Sequence, residues 1–428
     1  MPADTNAKRG GDVFSVCLAD GRHSIDVFTD IKDVPLSHWP STTIPSSVYP
    51  TGEWLDSQQG WNTPTPVYAV LRRTSDDSVA AAVSCFLAEQ PDQVRFDNVP
   101  RMLLNVDHPR DLAGSLDEAE ASVLRERAAS LRDSDALPYP ALVVTAANAA
   151  MFGYATTEAE SPLPDAETLA ALADGIDVIA ERLGAPTRAF WYVRPADFPD
   201  FGDELVKKGY ARTLINADSR LDIAWNSLDE YVAWLPRSRR YDVKREIRAF
   251  REAGYRVTVD GGDAIDERLS ELYAGLQRRF GFPAEPGAVL AGFQRVRERL
   301  DAKMRVFVAR DGDEPLGFVL ALEHEGVLYT RQAGFTRGTG SSSNFIYFNT
   351  LFYEMIAYAI DRGLRGIEYG TESFGAKLQR GCRLRAIESY VRSTSAAPEE
   401  LSDYFQLYER AIGAYMVQHG VDPAKLAS

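Results

Sequence analysis

Residues Leu364–Gly381 read LRGIEYGTESFGAKLQRG. The stretch opens as a strand, with Leu364, Ile367 and Tyr369 apolar or aromatic and Gly363 and Gly370 bracketing the run. A polar loop from Thr371 to Ala376 holds Glu372 and Gly375, and Lys377, Arg380 and Gly381 follow it. A flexible loop with a carboxylate and two cations at the C-terminal end of a strand suits an anionic ligand. Lys377 and Arg380 are three apart, so the spacing predicts that they share one side of a helical turn and face a phosphate or carboxylate. The alternative is a solvated surface loop.

Immediately upstream, Phe345–Asp361 is an unusually apolar helical segment in which Glu354 is either exposed at an edge or paired inside. Before it come a hairpin, Met304–Arg310 with Leu316–Glu323, and a third strand, Val327–Gly334, carrying Tyr329 and Arg331. A loop follows, Phe335 to Asn344. Its run Arg337-Gly338-Thr339-Gly340-Ser341-Ser342 is either a phosphate cradle ahead of a helix or a plain flexible linker.

Further upstream, Ser227-Leu228-Asp229-Glu230 is a candidate capping box. From Arg237 to Arg256 there are eight basic and three acidic residues, a balance of +5 in a chain of formal net charge −15. Arg237, Arg240, Lys244, Arg248 and Arg251 recur at spacings of three and four, which predicts one cationic helix face, with Val243, Ile247 and Phe250 forming an apolar stripe elsewhere. Such a face is either solvated or tracks a polyanion, because guanidinium groups bind phosphates bidentately.

The N-terminal half alternates strands and helices. Pro66–Arg73 and Val79–Leu87 read as a hairpin, Ala141–Thr145 and Arg188–Val193 as strands, and Asp165–Leu183 as an amphipathic helix through Leu169, Leu172, Ile176 and Ile179. Tyr210–Leu221 returns as a strand, and Glu399–His419 closes the chain as a helix. The expected organisation is two α/β halves, 1–222 and 223–428. Three dispersed cysteines and five dispersed histidines show no metal-ligand spacing, so no metal is expected. His108 and His324 are candidate bases. No run approaches a membrane span and the N-terminus has no apolar core, so a soluble cytoplasmic protein is expected.

The stretch from Glu368 to Gly381 resembles the Fem-like proteins of the GNAT superfamily, in particular the peptidoglycan-biosynthesis N-acyltransferases, with their F-E-x-G-x-Q-G-x-x-K-x-x-R-G pattern. Glu368 and Gly370 match its first half and Lys377, Arg380 and Gly381 its second, with one extra residue between. Leu235 to Glu246 resembles the group's L-P-x-x-x-R-x-x-x-R-R-E run, Lys244 replacing one arginine, and Arg331 with Gly334 matches an R-x-x-G. Tyr347-Phe348-Asn349 stands where H-F-E is expected.

The resemblance implies two tandem GNAT-like domains with a cleft between them. It further implies an aminoacyltransferase that moves an aminoacyl group from aminoacyl-tRNA to an amine or hydroxyl of a cell-wall precursor or natural-product intermediate. An acyl-CoA donor and a non-catalytic binding module remain as alternatives, and no cofactor is expected to be permanently bound. The implied catalytic residues are Lys377, Arg331, Glu368 and Glu372. Those implied to bind the donor or substrate are Arg237, Arg240, Lys244, Arg248, Tyr329, Arg337, Gly338, Gly340 and Arg380.

Overall fold

The computed structural model describes residues 14–35, 38–59, 65–92, 96–107, 110–157, 165–336 and 345–426. The strands, in chain order, are β1 Phe14–Cys17, β2 His23–Phe28, β3 Thr43–Ile44, β4 Thr65–Arg73, β5 Val79–Ala88, β6 Ala141–Val144, β7 Tyr154–Ala155 and β8 Thr187–Val193. They continue as β9 Ala211–Asp222, β10 Arg256–Asp260, β11 Met304–Asp311, β12 Glu314–His324, β13 Val327–Phe335, β14 Gly366–Gly370 and β15 Arg383–Ser393.

The chain packs as two compact units, Met1–Asn216 together with Ala386–Ser428, and Ala217–Arg385. It passes from one to the other within β9 and returns within β15. This differs from the expected division at residue 222, because the C-terminal helix Pro398–Gln418 packs in the first unit. That helix buries Leu401, Tyr404, Phe405 and Tyr408, and the Tyr404 hydroxyl donates to the Leu103 carbonyl at 2.6 Å.

In the first unit the strands run β1-β2-β4-β5-β6-β8-β15. The pairs are antiparallel except β6 with β8, which run parallel on either side of the helix Ala166–Arg182 in the sequence. Asp165 starts that helix by accepting from the backbone N–H groups of Glu167 and Thr168. Its apolar stripe, Leu169, Leu172, Ile176 and Ile179, lies in one core with Ile25, Leu71, Val83, Leu142 and Phe190 of the sheet. The period of 3.6 on the helix and of 2 on the strands therefore meet in one layer.

The second unit repeats the plan. Its sheet runs β9-β14-β13-β12-β11-β10, antiparallel except β13 with β14. The crossover between those two is the apolar segment after residue 345. It forms a helix over Ile346–Phe348, a π-helical turn over Asn349–Tyr353 and an α-helix over Glu354–Asp361. Phe352, Met355, Ile356 and Ala359 from it meet Phe307, Val319, Leu328 and Ile367 from the sheet, and Val243 and Phe250 from the basic helix Arg237–Glu252 complete the core. Among the described residues no helix is long and apolar enough to cross a membrane.

Candidate active site

In the second unit β13 and β14 part after a short pairing. Their parallel pairing covers only Val327–Tyr329 with Gly366–Glu368, while β13 continues to Phe335 and β14 to Gly370. Each strand carries a bulge beside that point. On β13, Leu320 faces Gln332 and Ala321 faces Thr330, so Arg331 is the extra residue. On β14, Glu368 faces Arg220 and Gly370 faces Ser219, so Tyr369 is the extra residue. A bulge takes its extra residue out of the ladder and re-aims backbone groups, so β13 can turn polar backbone toward the gap between the strands. Gly334 is fixed by packing. A Cβ there would lie 2.6 Å from the Tyr273 nitrogen and 2.7 Å from the Leu272 carbonyl carbon, both in the helix Glu267–Arg279.

In the first unit the place after β6 is filled differently. Ala147, Asn148 and Ala149 all hold positive φ, and the N–H groups of Asn148 and Ala149 donate to the buried Asp97 carboxylate at 2.9 and 3.4 Å. The protein's own carboxylate thus occupies a concavity that would suit an anion.

Lys377 does not face a ligand. After a left-handed pair, Glu372 and Ser373, the chain forms the short helix Phe374–Leu378 and turns Lys377 inward, where it is 3% exposed. Its Nζ donates to the carbonyls of Tyr369, Gly370 and Thr371 at 2.9, 2.8 and 2.8 Å. All three ammonium N–H groups are therefore used in holding the end of β14. Burial lowers its pKa to about 8, opposed by nearby Cys382, Asp218 and Glu372. The expected oxyanion donor is thus a structural clamp.

Arg380 is buried as well. Its guanidinium donates to Glu246 Oε2 at 2.7 Å, the Tyr353 hydroxyl at 3.1 Å and the Ala376 carbonyl at 3.0 Å, and it lies 3.8 Å from the Phe348 ring centroid. Glu246 also accepts from the Tyr353 hydroxyl. The two most family-like stretches therefore meet: Glu246 ends the L-P…R-E run and Arg380 belongs to K-x-x-R-G. Asn349, at the position expected to be an acid, donates to the Glu246 carbonyl at 3.2 Å and ties the π-turn to the basic helix.

Glu368 is ion-paired within the sheet, accepting from Arg220 at 2.8 Å and from Arg385, which also reaches the buried Asp218. Glu372 is half-buried and Tyr329 is buried. Arg331 is half-buried at the bulge. Glu354 is half-buried, and burial raises its pKa while Arg251 opposes the shift. Arg337, Gly338 and Gly340, and also His108, lie outside the described residues.

The basic helix matches its expected geometry. Arg237, Arg240, Lys244, Arg248 and Arg251 line its outer side, whereas Val243 and Phe250 are buried. The helix's acidic residues are largely occupied elsewhere. Asp242 pairs with Arg239 at 3.3 Å and Arg245 at 3.5 Å, and Glu246 is committed to Arg380. Among the described residues, Arg237, Arg240, Lys244 and Arg248 have no carboxylate within ion-pair distance.

The FemAB-like family, described as peptidoglycan biosynthesis/recognition, matches residues 128–421. The chain belongs to the FemAB-like family. Among solved structures, FemX is 12% identical, with 85% of this chain and 94% of that one covered and a TM-score of 0.52. A tandem GNAT protein from the clavulanic acid biosynthesis pathway is 12% identical over 82% of this chain and 90% of its own, with a TM-score of 0.44. L-PGS from Bacillus licheniformis is 14% identical over 64% and 83%, with a TM-score of 0.42. No curated protein matches the chain. The FemAB-like fold here is two α/β units of one plan, and the strand separation at β13 and β14 is the feature of the second that suits a site.

Sequence reasoning missed the inward turn of Lys377 and Arg380 and the burial of Glu246. The signal available for Glu246 was its position, three residues after Val243 and four before Phe250, inside the apolar stripe.

Proposed function

We propose that this FemAB-like chain is an aminoacyltransferase. It takes the aminoacyl group from aminoacyl-tRNA and passes it to an amine or hydroxyl of a small-molecule or cell-wall-precursor acceptor. The carrying observation is the outward stripe Arg237, Arg240, Lys244 and Arg248, whose charges no carboxylate among the described residues neutralises. Cations left uncompensated in a chain of net charge −15 suit a polyanionic donor.

The chemistry asks little of side chains. The acceptor's nucleophile adds to the ester carbonyl, and as the tetrahedral oxyanion collapses the C–O bond to the ribose breaks and the ribose oxygen leaves with the proton that the nucleophile gives up. The protein positions both partners and stabilises the oxyanion. The backbone at the Arg331 bulge is the group offered to that oxyanion in this reading, and Lys377 holds the opposite strand end in place.

Thermal melting with charged tRNA, uncharged tRNA and acetyl-CoA tests the donor. Stabilisation by tRNA, stronger when charged, supports the proposal. A rise in melting temperature with acetyl-CoA alone would replace it with an acyl-CoA-dependent transferase. No response to either would leave a binding module.

A further inference from the structure

The helix Leu228–Trp234 ends just before the basic helix, with only Leu235 and Pro236 between. Trp234 is 53% exposed and Tyr241 is 66% exposed. Tyr241 lies four residues after Arg237 and three before Lys244, so it interrupts the cationic stripe with an aromatic ring. Large side chains with apolar rings held in water are candidates for an interaction surface.

Trp234 is exposed without being loose. Its ring lies 4.9 Å from that of Trp225, which in turn contacts Tyr231 at 5.0 Å. The Tyr231 hydroxyl donates to the Arg380 carbonyl at 3.1 Å, which fixes the helix on the turn before Gly381. Gly381 itself has φ +85°, and a Cβ on it would sit 2.4 Å from Trp234 Cζ3 and 2.7 Å from Cη2. The glycine of the K-x-x-R-G run is therefore the floor on which the indole rests.

A rigid, half-open indole at the head of uncompensated cations is the pairing that single-stranded nucleic acid requires. Bases stack on the ring and the cations take the phosphates. A duplex buries its internal base faces, so such a platform favours unpaired bases. We propose that Trp234 stacks an unpaired base at the single-stranded 3′ end of the RNA, while Arg237, Lys244 and Arg248 hold its phosphates. This rests on the aminoacyl-tRNA reading above and deepens it.

Two RNA hairpins with the same stem, one blunt and one with four unpaired 3′ nucleotides, are titrated into the full-length protein by fluorescence anisotropy at fixed salt. The parent protein binds the overhang form about tenfold more tightly, within the range of one stacked base. Trp234→Ala removes that preference; Trp234→Phe keeps a ring on Gly381 and part of the preference. Equal affinity of the parent for both hairpins overturns the stacking proposal and leaves RNA binding standing. Failure of the parent to bind either hairpin overturns both readings.

Discussion

A lysine that looks catalytic in sequence serves here as a clamp. Lys377 holds three carbonyls at the end of β14, and Lys377→Met leaves them without their donor. We expect a loss of roughly 2–4 kcal/mol of stability at neutral pH from this. The pH dependence adds a signature. Burial brings the Lys377 pKa down to about 8 from its ordinary value of 10.5, so the native state gives up this proton more readily than the unfolded chain. Its contribution is therefore lowest below pH 8 and grows as pH rises from about 8 to about 10.5. Urea unfolding of parent and variant across that window should show the parent's advantage widening with pH. A gap that narrows would contradict the burial-lowered pKa and mean that the three carbonyls hold the charged ammonium more strongly than burial disfavours it. The sequence displayed the residue and its spacing but not its direction. That direction is set by the left-handed backbone at Glu372 and Ser373, two non-glycine residues without a local signature for it.

At the scale of elements, the buried pair Glu246–Arg380 joins the basic helix to the turn after β14. Removing one partner strands a charge, which typically costs about 3–5 kcal/mol. Glu246→Gln should therefore destabilise strongly, and adding Arg380→Met should restore part of the loss because no charge is left alone. Strict additivity in a double-mutant cycle would sink the coupling. Much of the element level was legible beforehand. The helix expected over Asp165–Leu183 is found at Ala166–Arg182, and the hairpin before Val327 and the cationic stripe stand where periodicity put them. Ser227 caps its helix through the Glu230 N–H, but Glu230 reaches back to the Asn226 N–H, one residue earlier than a capping box requires. The pairing of Glu246 with Arg380 was not legible, because it joins residues 134 positions apart and depends on the fold.

At the scale of the molecule, the chain builds one plan twice, an antiparallel meander, a crossover helix and a parallel strand. The plan was readable from the alternation of strands and helices. The return of the last helix to the first unit was not, since a terminal amphipathic helix carries no mark of which core it completes. In the proposed reaction the face of the basic helix takes RNA phosphates. At about 0.15 M salt, charge is felt strongly only within about 8 Å, so the remaining acidic surface does not prevent this. The most direct measurement is the salt dependence of aminoacyl-tRNA affinity for the parent and for Arg237→Gln/Lys244→Gln/Arg248→Gln. Arg240 is kept because it donates to the Leu235 carbonyl at 2.6 Å. Binding is expected to weaken and the log–log slope to become shallower by about 0.7–0.9 for each phosphate no longer neutralised, with the melting temperature retained. Parent affinity and slope preserved in the triple variant would contradict it.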